Sequence, residues 1–357
     1  MKNNFFTIAI PCFKVNNDYF KECIESIYNQ DYTNFECFLL VSDDTLDENL
    51  IPRDERFKIV KCEQHSTGFK RNTAIKKANG EYIIFVDCDD CIDKKYLSLS
   101  NTILCNNDVD IIYYEVTKDN SLINVNEPIN FETLTGEEIL KLWIEKILCI
   151  DDTTAPSWLF SGNPAKVYKT SFLKNNNILL NEDFGLIGED KIFNFKCATY
   201  LPKIAYSNYH SYWWRTNTES FYRKKNSKNS LAWLNSYLKY IDEIFVNQQN
   251  YFSFIEKAKY QFIFYWIPKY SRLDNSGKLL KFSETFYLLK SNLKKSSVLR
   301  KFYIKSKFKN VYCKNRSHKF IYFWAILFIK IKLLFLLNIL LRLYTKFAYK
   351  KANKKGK

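Results

Sequence analysis

Residues 301–357 contain no aspartate or glutamate, yet they hold 16 of the chain's 54 Lys and Arg. All 38 acidic residues lie earlier, where 38 basic residues balance them, so the net charge of +16 belongs to the tail alone. That placement argues against a nucleic-acid-binding protein with a generally basic surface, and it directs the search for an anionic partner to the C-terminal segment. Long apolar runs are also missing. The longest uncharged stretch of the tail, Phe320–Ile329, has ten residues, against about twenty for a helical span. No transmembrane helix is expected, nor the bundle of them that a polymer-exporting synthase needs. Met1-Lys2-Asn3-Asn4 leads straight into an apolar run, so no signal peptide is expected. Cys88-x-x-Cys91 has no second pair of matching spacing, which disfavours a zinc site. The ten cysteines are scattered, several within apolar runs, and fit reduced thiols in a cytosolic compartment.

What is present is ample core material: 357 residues, 46% hydrophobic and 17% aromatic, enough for one large or two modest domains. Residues 5–10 read as a buried strand ended by Pro11. Phe20, Cys23, Ile24 and Ile27 recur at helical spacing within 18–30, with Asp18 as the expected N-cap. Further strands are expected at 35–41, 57–62 and 81–86, with a helix over 68–79 closed by Gly80. Helical spacing resumes at 136–150, an irregular stretch runs to about 188, and a helix over 189–199 and a strand over 204–209 follow. Aromatic-rich helices are expected after Ser227, with a boundary at the polar cluster 223–230. Alternating strands and helices indicate a mostly parallel α/β sheet, whose ligands bind beyond the carboxyl ends of the strands.

The residues just past those ends are the candidates. Asp87, Asp89 and Asp90 follow Tyr82-Ile-Ile-Phe-Val86, and three neighbouring carboxylates repel one another unless a cation lies among them. Hard oxygen ligands of this kind suit Mg²⁺ or Mn²⁺; the segment also reads as a solvated acidic turn capping a helix near Asp93. Ser42–Asp47 follows another strand, and its carboxylates suit a nucleobase imide or ribose hydroxyl, or simply a turn. Lys70 and Arg71, near the start of a helix, suit a diphosphate or a plain basic surface. Glu189 and Asp190 open another helix, where a carboxylate acts as general base or compensates the helix dipole. His210-Ser-Tyr-Trp-Trp-Arg215 gathers a His, aromatics for sugar stacking and an Arg for phosphate; core packing is the alternative.

In this order, across about residues 5–222, the segments resemble the family 2 glycosyltransferases with the GT-A fold. The matching pieces are Ile8-Ala-Ile-Pro-Cys-Phe13, Cys23–Gln30, Phe35–Val41 with Asp43, and Gly68-x-x-Arg-Asn72. Ala78-Asn-Gly-Glu-Tyr-Ile83, Phe85-Val-Asp-Cys-Asp-Asp90, Glu189-Asp190 and the stretch through Arg215 and Ser220 complete them. The resemblance implies a Rossmann-like, mostly parallel sheet flanked by helices, and an inverting hexosyl transfer from a nucleotide-sugar, usually a UDP-sugar. It places Asp43 on the base and Asp87 and Asp89 in the family's DxD, which binds ribose and metal. It makes Asp190 the catalytic base, supported by Glu189. Pro11, Phe13, Lys70, Arg71 and Arg215 are expected to line the nucleotide-sugar site, and His210 joins Asp87 and Asp89 as a candidate ligand for Mn²⁺ or Mg²⁺. The chain departs from the family pattern at Asp44-Thr45-Leu46, at Lys14 and at Ala74.

The expected organisation is a catalytic domain over 1–225 (nucleotide-sugar half about 1–115, acceptor half about 116–225), a helical extension over 226–318 and a tail over 319–357. In the tail Lys332, Asn338, Arg342 and Lys346 share one helical face, an interfacial pattern suited to anionic lipid headgroups. The expected setting is therefore cytoplasmic, peripheral on the inner face of the cell membrane. There the enzyme would act on a glycan or lipid-linked acceptor in bacterial surface-polysaccharide or lipooligosaccharide synthesis, with no nucleic acid partner. A catalytically inactive GT-A binding module is the competing reading, and a basic nucleic-acid-binding protein a weaker one.

Overall fold

A computed structural model describes residues 2–13, 16–42, 46–123, 130–144, 156–159, 161–182, 189–215 and 281–295, with short pieces between 323 and 343. The expectations at Asp43–Thr45, at the 223–230 boundary and over most of the C-terminal third fall outside the described residues. The chain divides into two compact units, Met1–Trp143 with Ala155–Asn217, and Ile144–Thr154 with Thr218–Lys357.

The first unit is built on a nine-stranded mixed sheet. Four strands, β1 (Phe6–Pro11), β2 (Phe35–Val41), β3 (Phe57–Lys61) and β4 (Tyr82–Phe85), run parallel in the order β3-β2-β1-β4. β1, β2 and β4 are buried at every position, as their largely apolar runs require of a sheet covered on both faces, and the two polar residues within them pair, Thr7 Oγ1 donating to Glu36 Oε1 at 2.9 Å. Between them lie α1 (Asn17–Tyr28) and α2 (Thr67–Lys77). Beyond β4 the sheet continues through β8 (Lys166–Lys169), β6 (Ile111–Thr117) and β9 (Ile204–Trp213). β8 is antiparallel to both β4 and β6, and β6 is parallel to β9. The far edge of β9 is shared by β7 (Phe131–Leu134) and the short β5 (Cys91–Ile92). α3 (Tyr96–Asn106), α4 (Gly136–Leu142), α5 (Thr170–Asn175) and α6 (Glu189–Thr199) complete the unit.

Several expectations shift. The cap of α1 is Asn16, whose side chain accepts the amides of Asp18 and Tyr19; Asp18 lies in the first turn. α2 starts at Ser66, which accepts the amide of Phe69, and it ends before Ala78 rather than at Gly80. Gly80 serves β1 instead: its amide donates to Thr7 Oγ1, and a Cβ there would lie 2.5 Å from the Thr7 nitrogen. The stretch read as irregular contains β8 and α5, because Lys166-Val-Tyr-Lys169 looks amphipathic although Lys166 and Tyr168 are both buried. β9 runs four residues past its expected end, placing His210, Tyr212 and Trp213 on a strand.

In the second unit, α7 (Phe282–Lys295) and a helical stretch at 334–343 are described. Asn338 is buried and donates to the Phe282 carbonyl, and Arg342 donates to Thr285 Oγ1. These two polar residues therefore face α7, a correction to their expected headgroup-facing role; Lys332 and Lys346 lie outside the described residues. Phe335, Ile339 and Leu343 are exposed. Among the described residues no helix is long and apolar enough to cross a membrane.

Gly68 in α2 packs directly on the backbone of residue 181: a Cβ there would lie 1.8 Å from the Asn181 carbonyl oxygen. Gly68→Ala should lower the unfolding free energy by about 1–3 kcal/mol, the usual range for overpacking. Urea denaturation checks this, and an unchanged midpoint would show that the two segments are not in tight contact.

Candidate active site

The site forms where β1, β4 and α6 meet α2. Residues 180–182, which lead towards α6, are clamped on that helix. Asn72 Nδ2 donates to the Leu180 carbonyl at 2.9 Å and to Glu182 Oε1 at 2.9 Å, and Asn72 Oδ1 accepts the Leu180 amide at 2.8 Å. Gly68-x-x-Arg-Asn72 thus reads physically as a close approach, a charge and a backbone clamp on successive turns of one helix face.

The charge is Arg71, whose side chain is 3% exposed. Its Nη2 donates to Asp87 Oδ1 at 2.7 Å and its Nη1 to Asp190 Oδ1 at 2.6 Å, with Glu189 Oε1 3.7 Å from Nη1. Burial works against the guanidinium charge, but Asp190, Asp87 and Glu189 together outweigh it and hold the group above its ordinary value. Arg71, expected on the diphosphate, joins the acidic loop after β4 to the start of α6. Burial raises Asp87, Arg71 opposes the rise, and Asp190 and Asp89 add to it. Asp87 Oδ2 accepts no hydrogen bond among the described residues.

Asp90 has a different task. It is 1% exposed, and its oxygens accept Tyr212 Oη at 2.8 Å and the Arg215 amide at 2.9 Å. The Tyr212 hydroxyl in turn accepts the Asp87 amide at 3.0 Å, so Asp90 fixes the loop from inside. Arg215 completes that frame: Nε donates to the Asp89 carbonyl at 2.8 Å, Nη2 to Glu22 Oε2, and the guanidinium lies over the rings of Trp213 and Tyr19. Arg215, expected at the nucleotide-sugar, thus also supports the acidic loop.

Lys70 also has a task within the protein. It is fully buried, with Nζ donating to the Cys12 carbonyl and lying 5.6 Å from the Phe13 ring centroid, so it holds the turn after β1 rather than facing solvent. Pro11 ends β1, and Phe13 makes an edge contact with His65, whose Nδ1 is 2.8 Å from Ser42 Oγ. Asp43 lies outside the described residues. His210 Nε2 is 3.3 Å from Glu115 Oε2. No group of three or more His, Cys, Asp and Glu side chains is arranged to hold a metal among the described residues.

The sequence reading missed Tyr212, Asn163, Asn194, Tyr168 and Lys166. Asn163 Nδ2 donates to Asp190 Oδ1 at 2.8 Å, and Asn194 and Tyr168 stand behind it. Burial lowers the Lys166 ammonium to about 7, with nearby Asp190 opposing the shift. A cavity of about 650 Å³ opens at the other end of β4, but its charges pair within it, Lys2 with Glu81 and Lys169 with Asp108. The reactive groups are at the carboxyl ends of the strands.

This arrangement has known counterparts. Residues 7–157 match the model of Glycosyl transferase family 2. The poly(ribitol-phosphate) beta-N-acetylglucosaminyltransferase TarS of Staphylococcus aureus is 25% identical over 222 residues, covering 60% of this chain and 36% of that protein. The UDP-Glc:alpha-D-GlcNAc-diphosphoundecaprenol beta-1,3-glucosyltransferase WfgD of Escherichia coli is 30% identical over 131 residues, 34% of this chain and 51% of that one. The chain thus spans about a third of the length of the first of these relatives. A solved structure of S. aureus TarS 1–349 in complex with UDP-GlcNAc superposes with a TM-score of 0.61 at 17% identity, covering 96% of this chain and 92% of that one. The fold is GT-A, a mixed α/β sheet flanked by helices. Residues 7–157 are thus similar to a family 2 glycosyltransferase domain.

Burial, with Asp87 and Asp89 adding to it, holds the Asp90 carboxyl well above its ordinary value of 3.8. A raised value in the folded state means that Asp90 contributes stability fully below the unfolded value, and that this contribution is lost as pH rises through the folded one. Asp90→Asn has no proton to lose, so its unfolding free energy should fall less steeply over that window than the parent's. Urea titrations at a series of pH values measure this, and parallel pH profiles would show that Asp90 is not held protonated.

Proposed function

We propose that the chain transfers a hexosyl group from a nucleotide-sugar, a UDP-sugar, to a hydroxyl of a glycan or lipid-linked acceptor in bacterial surface-polysaccharide or lipooligosaccharide synthesis. The observation that carries this reading is the Arg71 bridge, which brings Asp87 and Asp190 into one site although about a hundred residues separate them in the sequence. The likeness in fold to TarS bound to UDP-GlcNAc, and the relatives named for sugar transfer, support the same reading.

The reaction is a single displacement with inversion. As the acceptor oxygen bonds to the anomeric carbon, its proton passes to Asp190 and the bond from that carbon to the phosphate oxygen breaks, releasing UDP. Asp87 and Asp89 would hold Mn²⁺ or Mg²⁺. Their fit is that of a shared site: Asp90 is committed to Tyr212 and Arg215, whereas Asp87 keeps one oxygen beyond Arg71, leaving diphosphate and water oxygens to complete the sphere. Such a cation stabilises charge on the departing diphosphate. Glu189 adds charge on the Arg71 side, and Pro11 and Phe13 with Asp43 would border the base. The protein's own contribution is alignment of acceptor and donor.

The exposed apolar residues of the 334–343 helix and the basic tail support peripheral attachment to an anionic membrane surface on its cytoplasmic side. The tail should float with vesicles containing phosphatidylglycerol but not with pure phosphatidylcholine, and less so at high salt. Equal flotation with both would remove the electrostatic part of this attachment, and none with either would remove it altogether.

A panel of UDP-sugars with Mn²⁺, read by UDP release, tests the chemistry. One donor should be turned over, and Asp190→Asn and Asp89→Ala should each lower kcat by at least about 100-fold, the lower end expected for a lost general base. Undiminished turnover in Asp190→Asn would remove that residue from the reaction.

A further inference from the structure

The two oxygens of Asp190 are not equivalent. Oδ1 accepts from Arg71 Nη1 at 2.6 Å and from Asn163 Nδ2 at 2.8 Å, whereas Oδ2 accepts no hydrogen bond among the described residues. Asn163 is fully buried and lies just before β8, far in sequence from α6.

An amide side chain can present either its oxygen or its nitrogen, and a carboxylate accepts only the nitrogen. Here the surroundings decide which. The Asn194 amide group lies 2.9 Å from the Asp190 backbone carbonyl and 3.2 Å from the Gly162 carbonyl, both of which only accept, so NH₂ must face them. The other end of the Asn194 amide, Oδ1, accepts the Tyr168 hydroxyl at 2.7 Å. The same Nδ2 reaches the Asn163 amide at 2.8 Å, which obliges Asn163 to offer its oxygen there and its NH₂ to Asp190. Asn194 is itself fully buried, so no water competes for this choice.

We infer that Asn163, with its polarity set by Asn194, is a positioning residue for Asp190: it commits Oδ1 to the protein and leaves Oδ2 to receive the proton of the attacking hydroxyl. This rests on the reading of Asp190 as general base. The proton leaves the acceptor oxygen for Oδ2 as that oxygen bonds to the anomeric carbon and the diphosphate departs with the electron pair of the broken bond. Asn163 touches neither substrate, so its loss should alter the rate of the chemical step and not the donor's affinity.

The experiment is steady-state UDP release from the UDP-sugar found active in the panel, with Mn²⁺, alongside donor affinity by calorimetry and thermal unfolding. Asn163→Asp keeps the volume of the side chain and withdraws its N–H; Asn163→Ala removes both; Asn194→Asp withdraws the NH₂ that sets the polarity. All three should lower kcat about 10–100-fold, the scale expected for a misoriented reactive group, with donor KM and calorimetric affinity within about twofold of the parent. A folded Asn163→Asp with kcat within twofold of the parent, or a loss carried by KM alone, overturns the inference. Should Asn163→Ala fail to fold, Asn163→Asp and Asn194→Asp decide by the same criteria, and if none of the three folds the role is structural and positioning is refuted. Asp190→Asn separates the two levels: if it is active, the general-base reading itself fails, whereas if it is inactive beside active Asn163 variants, only the positioning role is lost.

Discussion

A single buried guanidinium holds the site together. Arg71 lies between Asp87 at the end of the β4 segment and Asp190 at the start of α6, bonded to each at less than 2.8 Å. An isolated charge in this place would be strongly disfavoured, and so would two neighbouring carboxylates without it. Each group is tolerable only because the others are present. The consequence is geometric: α2, the acidic loop and α6 cannot shift independently without breaking a charge-assisted bond in a poorly solvated place. Gly68 and Asn72, on the same helix, bring the 180–182 backbone close enough for the bridge to form.

The three neighbouring aspartates illustrate how environment divides labour among identical side chains. Asp90 points inward, holds Tyr212 and the Arg215 amide, and through Tyr212 steadies the Asp87 amide. Asp87 stands at the boundary, with one oxygen on Arg71 and the other uncommitted. Burial raises both carboxyls, Asp90 well above its ordinary value, while Arg71 opposes the rise at Asp87.

The parallel half of the sheet was legible because β1, β2 and β4 are largely apolar runs, and α1 and α6 declared themselves by periodicity and an acidic first turn. Asp87, Asp89, Glu189 and Asp190 were legible because each stands immediately after a strand or at a helix start. What escaped was whatever depends on long-range pairing. β8 hides two buried polar residues in a pattern that looks half-exposed, and Asn163 has no local signal because its partners lie about thirty residues away. The cations show the same dependence on the fold. Lys70, Arg71 and Arg215 were expected at the nucleotide-sugar, and each also holds carbonyls or carboxylates of the protein in place. A basic residue near a binding loop is as readily part of its frame as of its ligand contacts, and only the fold distinguishes the two.

The choice of arginine for the bridge follows from the same geometry. Asp87 and Asp190 are reached by different terminal nitrogens of one planar group, each donating along its own direction. A lysine ammonium is a single point on a flexible stem; it would have to approach both oxygens with one atom, drawing the carboxylates together and increasing their repulsion. The guanidinium instead holds them apart by its own width while donating to both, and it leaves one oxygen of each, Asp87 Oδ2 and Asp190 Oδ2, without a protein hydrogen bond among the described residues. Those two oxygens are what the proposed reaction requires, one for the leaving diphosphate's counter-ion and one for the acceptor's proton, set at a separation that the arginine fixes.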